Sequence, residues 1–160
     1  MSSPFRTLAG TAARRRTRPV VERSTFVVVG VGAERFGVPV ELVERVERIA
    51  PAAGAEPVWG DGLPLVPLDE ALGLARAMHA AGAAHTPAYT RVLIVRDRER
   101  RWAVPVQTVY EVCAVETASI VPWEADAAGP RREPRVATFE RLDQTIIVLD
   151  LLRLPPDPAS

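Results

Sequence analysis

Apolar residues in this chain fall into short runs of β type, and two long stretches follow one plan. Residues 26–49 read FVVVGVGAERFGVPVELVERVERI, and residues 92–115, sixty-six positions later, read VLIVRDRERRWAVPVQTVYEVCAV. Each opens on a four-residue apolar run and continues with a polar stretch holding an arginine (Arg35, Arg101). An aromatic (Phe36, Trp102), a Val-Pro-Val triplet and two valines three apart follow: Val43 and Val46 in one copy, Val109 and Val112 in the other. A shorter pair also recurs, LPLVPLD (Leu63–Asp69) and QTIIVLD (Gln144–Asp150). Two copies at so long a period do not make a solenoid. They predict two similar lobes in one body.

The elements follow from this pattern. Strands are predicted at Thr25–Val31 and Phe36–Val40, with a turn at Ala33-Glu34 beside Gly32. Glu41–Arg48 has helical spacing, with Leu42, Val43, Val46 and Ile49 on one face and Glu41→Arg45 and Glu44→Arg48 at i,i+4 on the other. Pro51–Gly62 is rich in Pro and Gly and is expected to be loop. Leu63–Leu68 reads as a short strand whose Pro64 and Pro67 confine it to an edge or bulge. Asp69 is placed as the cap of a helix over 70–77. The second copy predicts strands at Arg91–Arg96 and Arg101–Val106, while Thr108–Val115 mixes helical and strand periods. Ile120–Trp123 is an apolar turn, and strands at Arg135–Leu142 and Thr145–Leu149 precede a Leu-rich end. The strand count implies an all-β fold with short helices, arranged as two small barrels.

A basic, aperiodic segment over 1–24 is expected to be a disordered tail, as is 155–160. The body between them, 25–154, divides into lobe one at about 25–77, a connector at 78–90 and lobe two at about 91–154. Composition narrows the function classes. The chain has 160 residues, is 48% apolar and carries 20 basic and 20 acidic residues, giving zero formal net charge. No long-range field steers it toward nucleic acid or an anionic membrane. The basic residues are all Arg, and in the body they interleave with Glu and Asp. Cys113 is the sole cysteine, so no intrachain disulfide can form. No apolar run approaches the ~20 residues of a membrane span, and the N-terminal arginines lead into no apolar core of a signal peptide. A cytoplasmic protein without membrane insertion is expected.

Material for catalysis is sparse. His79 and His85 lie six apart, away from the spacing of a helical metal pair. Cys113, in VCAV, has nothing cationic fixed beside it in sequence and reads as a packed thiol. Asp69 and Asp150 recur at matched places, where each reads as a helix cap. Gly30-Val31-Gly32 lacks the third glycine of a dinucleotide loop. No catalytic residue, cofactor or metal is therefore assigned. Trp102 sits inside a strand and is expected in the core, whereas Trp59 and Trp123 lie in loops, where tryptophan either folds inward or anchors a partner.

The stretches ERFGVPVELVERV, LPLVPLDEALGL, RRWAVPVQTVYEV and RLDQTIIVLDLLRL, in that order and spacing, resemble the CheW-like domain of bacterial chemosensory systems. The resemblance spans nearly all of Thr25–Leu154. It implies two five-stranded SH3-like barrels side by side and a non-enzymatic scaffold or adaptor. Such an adaptor couples a CheA-type histidine kinase, through its regulatory domain, to a chemoreceptor cytoplasmic tip or to other CheW-like proteins. Two departures mark the chain as a divergent member. The family's N-L-R-G motif reads Pro57-Val58-Trp59-Gly60, putting Trp59 in the Arg slot, and the Val46–Pro64 segment is about ten residues short, which abbreviates the first lobe. Arg45 stands where the family often has Glu. The candidate interaction residues are Val43, Arg45, Val46, Trp59 and Val109. Two alternatives stand beside this: an SH3-like-barrel nucleic-acid binder, and a chain that pairs only with other adaptors and does not couple receptors.

Purified protein is expected to show no nucleotide hydrolysis, no phosphoryl transfer and no stoichiometric metal, because neither copy holds a nucleophile–base pair or a ligand cluster. Assays of turnover and elemental analysis check this, and activity or metal in either would overturn it.

Overall fold

The computed structural model describes residues 18–49, 62–74, 89–124 and 134–154. Trp59, His79, His85, most of the loop expected over Pro51–Gly62, residues 125–133, most of the connector and most of the shortened first-lobe segment lie outside them. The described residues form β1 (Arg23–Val31), β2 (Glu34–Pro39), β3 (Val43–Arg48), a single helical turn α1 (Leu68–Ala71), β4 (Arg91–Asp97), β5 (Arg100–Val106), β6 (Thr108–Glu116), β7 (Val121–Pro122), β8 (Arg135–Arg141) and β9 (Gln144–Leu149). One sheet has the order β6-β1-β2-β9-β8-β7 and the other β3-β4-β5.

The continuous apolar run of β1 has a direct cause. A strand with one wet face alternates, whereas a strand covered on both faces does not. Val27, Val29 and Val31 of β1 join Phe36, Val38, Leu93, Val95, Trp102 and Val104 in a core between the sheets. Phe26 and Val28 point the other way, into a second core with Cys113, Ala137, Phe139, Ile146 and Val148. Phe26 and Phe139 stack there at 5.2 Å between ring centroids. The neighbouring strand makes room for that stack with Gly37, where a Cβ would stand 3.3 Å from both Ile146 Cγ2 and Phe139 Cε1. β4 is covered on both faces as well. Leu93 and Val95 face the central core, while Val92 and Ile94 pack with Ala103, Ile49 and Leu63.

Neither sheet belongs to one copy of the repeat. The hairpin β1–β2 receives β6, from the second copy, along β1; the hairpin β4–β5 receives β3, from the first copy, along β4. The exchange is reciprocal to the residue. Val46 lies opposite Leu93, and their counterparts sixty-six positions away, Val112 and Val27, are also paired. The first strand starts at Arg23, inside the segment expected to be tail, with Arg23 and Ser24 opposite Glu116 and Val115.

Glu41–Arg48 is not the expected helix, so Glu41 and Arg45, and Glu44 and Arg48, are not neighbours on a helix face. Val40–Leu42 is one 3₁₀ turn, and Val43–Arg48 is strand β3. The helical signature came from a β-bulge. Val43 opposes Val95, Arg45 opposes Ile94 and Val46 opposes Leu93, so Glu44 is the extra residue. Val95 and Leu93 share a face, hence so do Val43 and Val46, three apart in sequence. The mixed period of Thr108–Val115 has the same origin. Val109 opposes Val29 and Glu111 opposes Val28, with Tyr110 left over at the position matching Glu44.

Other boundaries moved for local reasons. The expected Leu63–Leu68 strand shrinks to one parallel bridge between Leu65 and Ala103. Pro64 and Pro67 have no N–H to extend it, and Leu68 already starts α1. Asp69 does not cap a helix over 70–77. It lies inside the four-residue turn α1, is buried, and accepts a hydrogen bond from the Tyr89 hydroxyl. Asp150 does act as a cap, accepting from the Leu152 N–H at 3.1 Å. The hairpin turns lie at Gly32-Ala33, Arg98-Glu99 and Leu142-Asp143, each one residue from the place expected or inside it. Gly32 takes φ 63°, which costs glycine little. Ile120–Trp123 contributes a two-residue strand, β7, paired to β8.

Phe36 is fully buried in the central core. Phe36→Ala is expected to cost about 3–5 kcal/mol of folding free energy, read from the shift of the urea midpoint at constant m-value.

Candidate protein-interaction site

The strands that cross between copies carry most of the side chains that the sequence singles out. On β3, Val43 is half-buried against the central core, and Val46, on the same face, is 42% exposed. Arg45 is on the opposite face, where its Nε donates to Glu47 Oε1 at 2.5 Å and its Nη1 lies 3.7 Å from Glu44. On β6, Val109 is half-buried against the same central core as Val43. The structure thus places Val43 and Val109 against one core, leaves Val46 exposed, and sets Arg45 on the other face of β3. Trp59 falls outside the described residues.

Each bulge residue reaches the arginine of the other copy's hairpin. Glu44 accepts two hydrogen bonds from Arg101, at 2.9 Å from Nε and 3.1 Å from Nη2. At the matching place the Tyr110 ring lies under Arg35, with Cζ 3.9 Å from the ring centroid. The first contact is a bidentate ion pair and the second a cation–π contact. Tyr110 also covers Gly30, where a Cβ would come within 2.8 Å of Tyr110 Cε2. A cross-copy contact is therefore kept while its chemistry differs on the two sides.

Glu111 and Arg141 form a part-exposed ion pair that bridges β6 and β8. Glu111 points inward from β6, and both its oxygens accept from Arg141 on β8, at 2.5 and 3.0 Å. That hydrogen bonding holds the Glu111 carboxyl below the usual carboxylate range against some desolvation, with charge from Arg141 and Arg35 adding to it. Cys113, next inward, is buried, and desolvation pushes its thiol up. A buried thiol held protonated is a poor nucleophile.

Sequence reasoning passed over Tyr110 and Val112, which stand out from β6, with Val112 60% exposed. The signal was there in the alignment of Tyr110 with Glu44 and of Val112 with Val46, but not in periodicity. Of the loop tryptophans, Trp123 is half-buried, its backbone N–H donating to the Val136 carbonyl at 3.0 Å and its ring centroid 5.7 Å from Arg135 Cζ.

A CheW-like domain model matches residues 25–157. The chain belongs to the CheW-like domain family. The crystal structure of the scaffolding protein TtCheW from Thermoanaerobacter tengcongensis superposes with a TM-score of 0.58 at 17% identity, covering 81% of this chain and 90% of that one. No curated protein is similar enough in sequence to match. CheW-like domains form a family of chemotaxis scaffolds and adaptors that are not enzymes, and the two sheets seen here conform to their all-β, SH3-like architecture. Among the described residues no helix is long and apolar enough to cross a membrane.

In this CheW-like chain the Glu111–Arg141 pair is the expected source of a pH dependence of stability. A carboxyl whose pKa is lower folded than unfolded stabilises the fold above its unfolded value, and that contribution fades as pH falls through the folded value. The melting-temperature gap between the parent and Glu111→Gln is expected to be widest near about pH 7 and to narrow toward about pH 3. A gap that stays constant across that range would show that the pair adds nothing to stability.

Proposed function

We propose that this protein is a non-enzymatic adaptor that joins the regulatory domain of a CheA-type histidine kinase to a chemoreceptor cytoplasmic tip or to other CheW-like proteins. The observation that carries the proposal is the family match across nearly the whole described body, in a molecule whose notable side chains are packing and surface-contact groups. An adaptor works by binding alone. It needs a rigid frame and exposed apolar anchors, since a few such anchors supply most of the energy of an interface. The doubly buried strands β1 and β4 give the frame. Val46 is the exposed candidate anchor, with Val43 and Val109 as half-buried supports beneath the surface and Trp59 as the indole in the family's Arg slot.

The departures favour one variant of this function. Arg45 is engaged with Glu47 and Glu44 on its own strand, and Trp59 offers apolar area and one N–H where the family has a fork of donors. Both changes favour an apolar partner surface over a charge-assisted one, which suits a chain that pairs with other CheW-like proteins rather than with receptors. The nucleic-acid alternative is not favoured. The chain has zero formal net charge, and Arg45, Arg100, Arg101, Arg141 and Arg153 each lie beside a carboxylate.

Calorimetry against the cognate kinase regulatory domain and a receptor-tip peptide tests the proposal. Val46→Glu and Trp59→Ala are each expected to weaken kinase binding by about 1–3 kcal/mol with little change in melting temperature. Absence of binding to the kinase domain, the receptor tip and a second CheW-like protein would defeat the adaptor reading. A salt-dependent shift of a DNA or RNA probe would favour the nucleic-acid reading instead.

A further inference from the structure

Two open sheets have four edges, and an edge strand left bare invites another chain to pair with it. Among the described residues three of these edges are blunted. β7 has two residues, one of them Pro122, which has no N–H. The β5 edge is covered by 64–66, where Ala103 N–H donates to the Pro64 carbonyl at 2.8 Å and Val66 N–H to the Ala103 carbonyl at 2.9 Å. β3 reads VERVER, so charge flanks its one exposed valine on both sides, and Glu44 and Arg45 are already paired within the chain. The fourth edge is β6. It has nine residues, β1 is its one strand partner among the described residues, and its exposed positions are Thr108, Tyr110, Val112, Ala114 and Glu116. The three in the middle are aromatic or apolar, and the strand holds no arginine. The bulge does not account for the difference, since β3 and β6 share it.

We propose that β6 is a self-association edge, pairing antiparallel with β6 of a second copy of this chain about a two-fold axis at Val112. Antiparallel addition at an edge supplies main-chain hydrogen bonds, and a two-fold makes the surface its own complement. In this register Val112 meets its mate, with Ala114 beside it on the same face of the sheet, the face that Val27 and Thr25 share. Glu111 lies opposite Cys113, both on the other face. Around the axis no like charges are therefore opposed. Glu111 is in addition balanced by Arg141 of its own chain. The inference does not depend on the adaptor reading, because it rests on the four edges alone.

Sedimentation velocity of the full chain over a wide concentration range tests it. The expected result is a reversible dimer whose Kd rises on the order of tenfold or more in Val112→Lys, which brings two ammonium groups together on the axis. Val121→Lys, at a 59% exposed valine on β7, is expected to leave Kd unchanged. Should Val112→Lys fail to fold by circular dichroism, Ala114→Arg on the same exposed face carries the same expectation. A chain that stays monomeric throughout overturns the proposal, and so does a dimer indifferent to both β6 substitutions. A Val112→Lys protein that loses kinase binding with its oligomeric state unchanged also overturns it, by assigning the edge to a different partner.

Discussion

The structure depends on two strands that are buried on both faces. β1 lends Val27, Val29 and Val31 to the core between the sheets and Phe26 and Val28 to the core behind it, and β4 splits its side chains in the same way. A strand of this kind cannot be satisfied by its own hairpin. It needs a neighbour on each side for its backbone groups and a layer on each face for its side chains. The second neighbour of β1 is β6 and that of β4 is β3, each supplied by the other copy of the repeat. The exchange makes the two halves one cooperative body, and it positions the exposed sides of β3 and β6 where a partner can reach them.

The repeat itself, both hairpins and the buried Trp102 were legible because each rests on local order: apolar runs, turn residues and Val-Pro-Val. Family membership was legible for the same reason. β3 and β6 were not, since one inserted residue in a strand shifts the face of everything after it and imitates the spacing of a helix turn. Glu44 and Tyr110 do not look like bulge residues in sequence; only their opposition to Val95–Ile94 and Val29–Val28 shows the extra position. Asp69 was misjudged because its partner, Tyr89, lies twenty residues on in a stretch without periodicity. Of the candidate interaction residues, pattern alone could not say that Val43 and Val109 are half-buried while Val46 is exposed.

Duplication preserved geometry more strictly than chemistry. The bulge, its register and its contact with the opposite hairpin's arginine recur, yet one contact is Glu44–Arg101 and the other Tyr110–Arg35. The ion pair is exposed and screened by salt, while the ring shields Gly30 and part of β1 from water. Two sites built on the same frame therefore present different side chains, a carboxylate in one and an aromatic ring in the other. A scaffold with two distinguishable faces can hold two different neighbours in a fixed order.

The crossing of strands also has a consequence for synthesis. A ribosome releases β1 and β2 long before their neighbours exist. Val28 must wait for Glu111, and Phe36 for Ile147 near the far end of the chain. Until then the doubly buried strand β1 has two uncovered faces and an unpaired side. Non-local pairing of this sort is slow, and the waiting segment is the kind that nascent-chain chaperones bind. The topology that makes the finished scaffold rigid makes the growing polypeptide dependent on its last thirty or so residues, so premature truncation there should yield aggregate rather than a smaller domain.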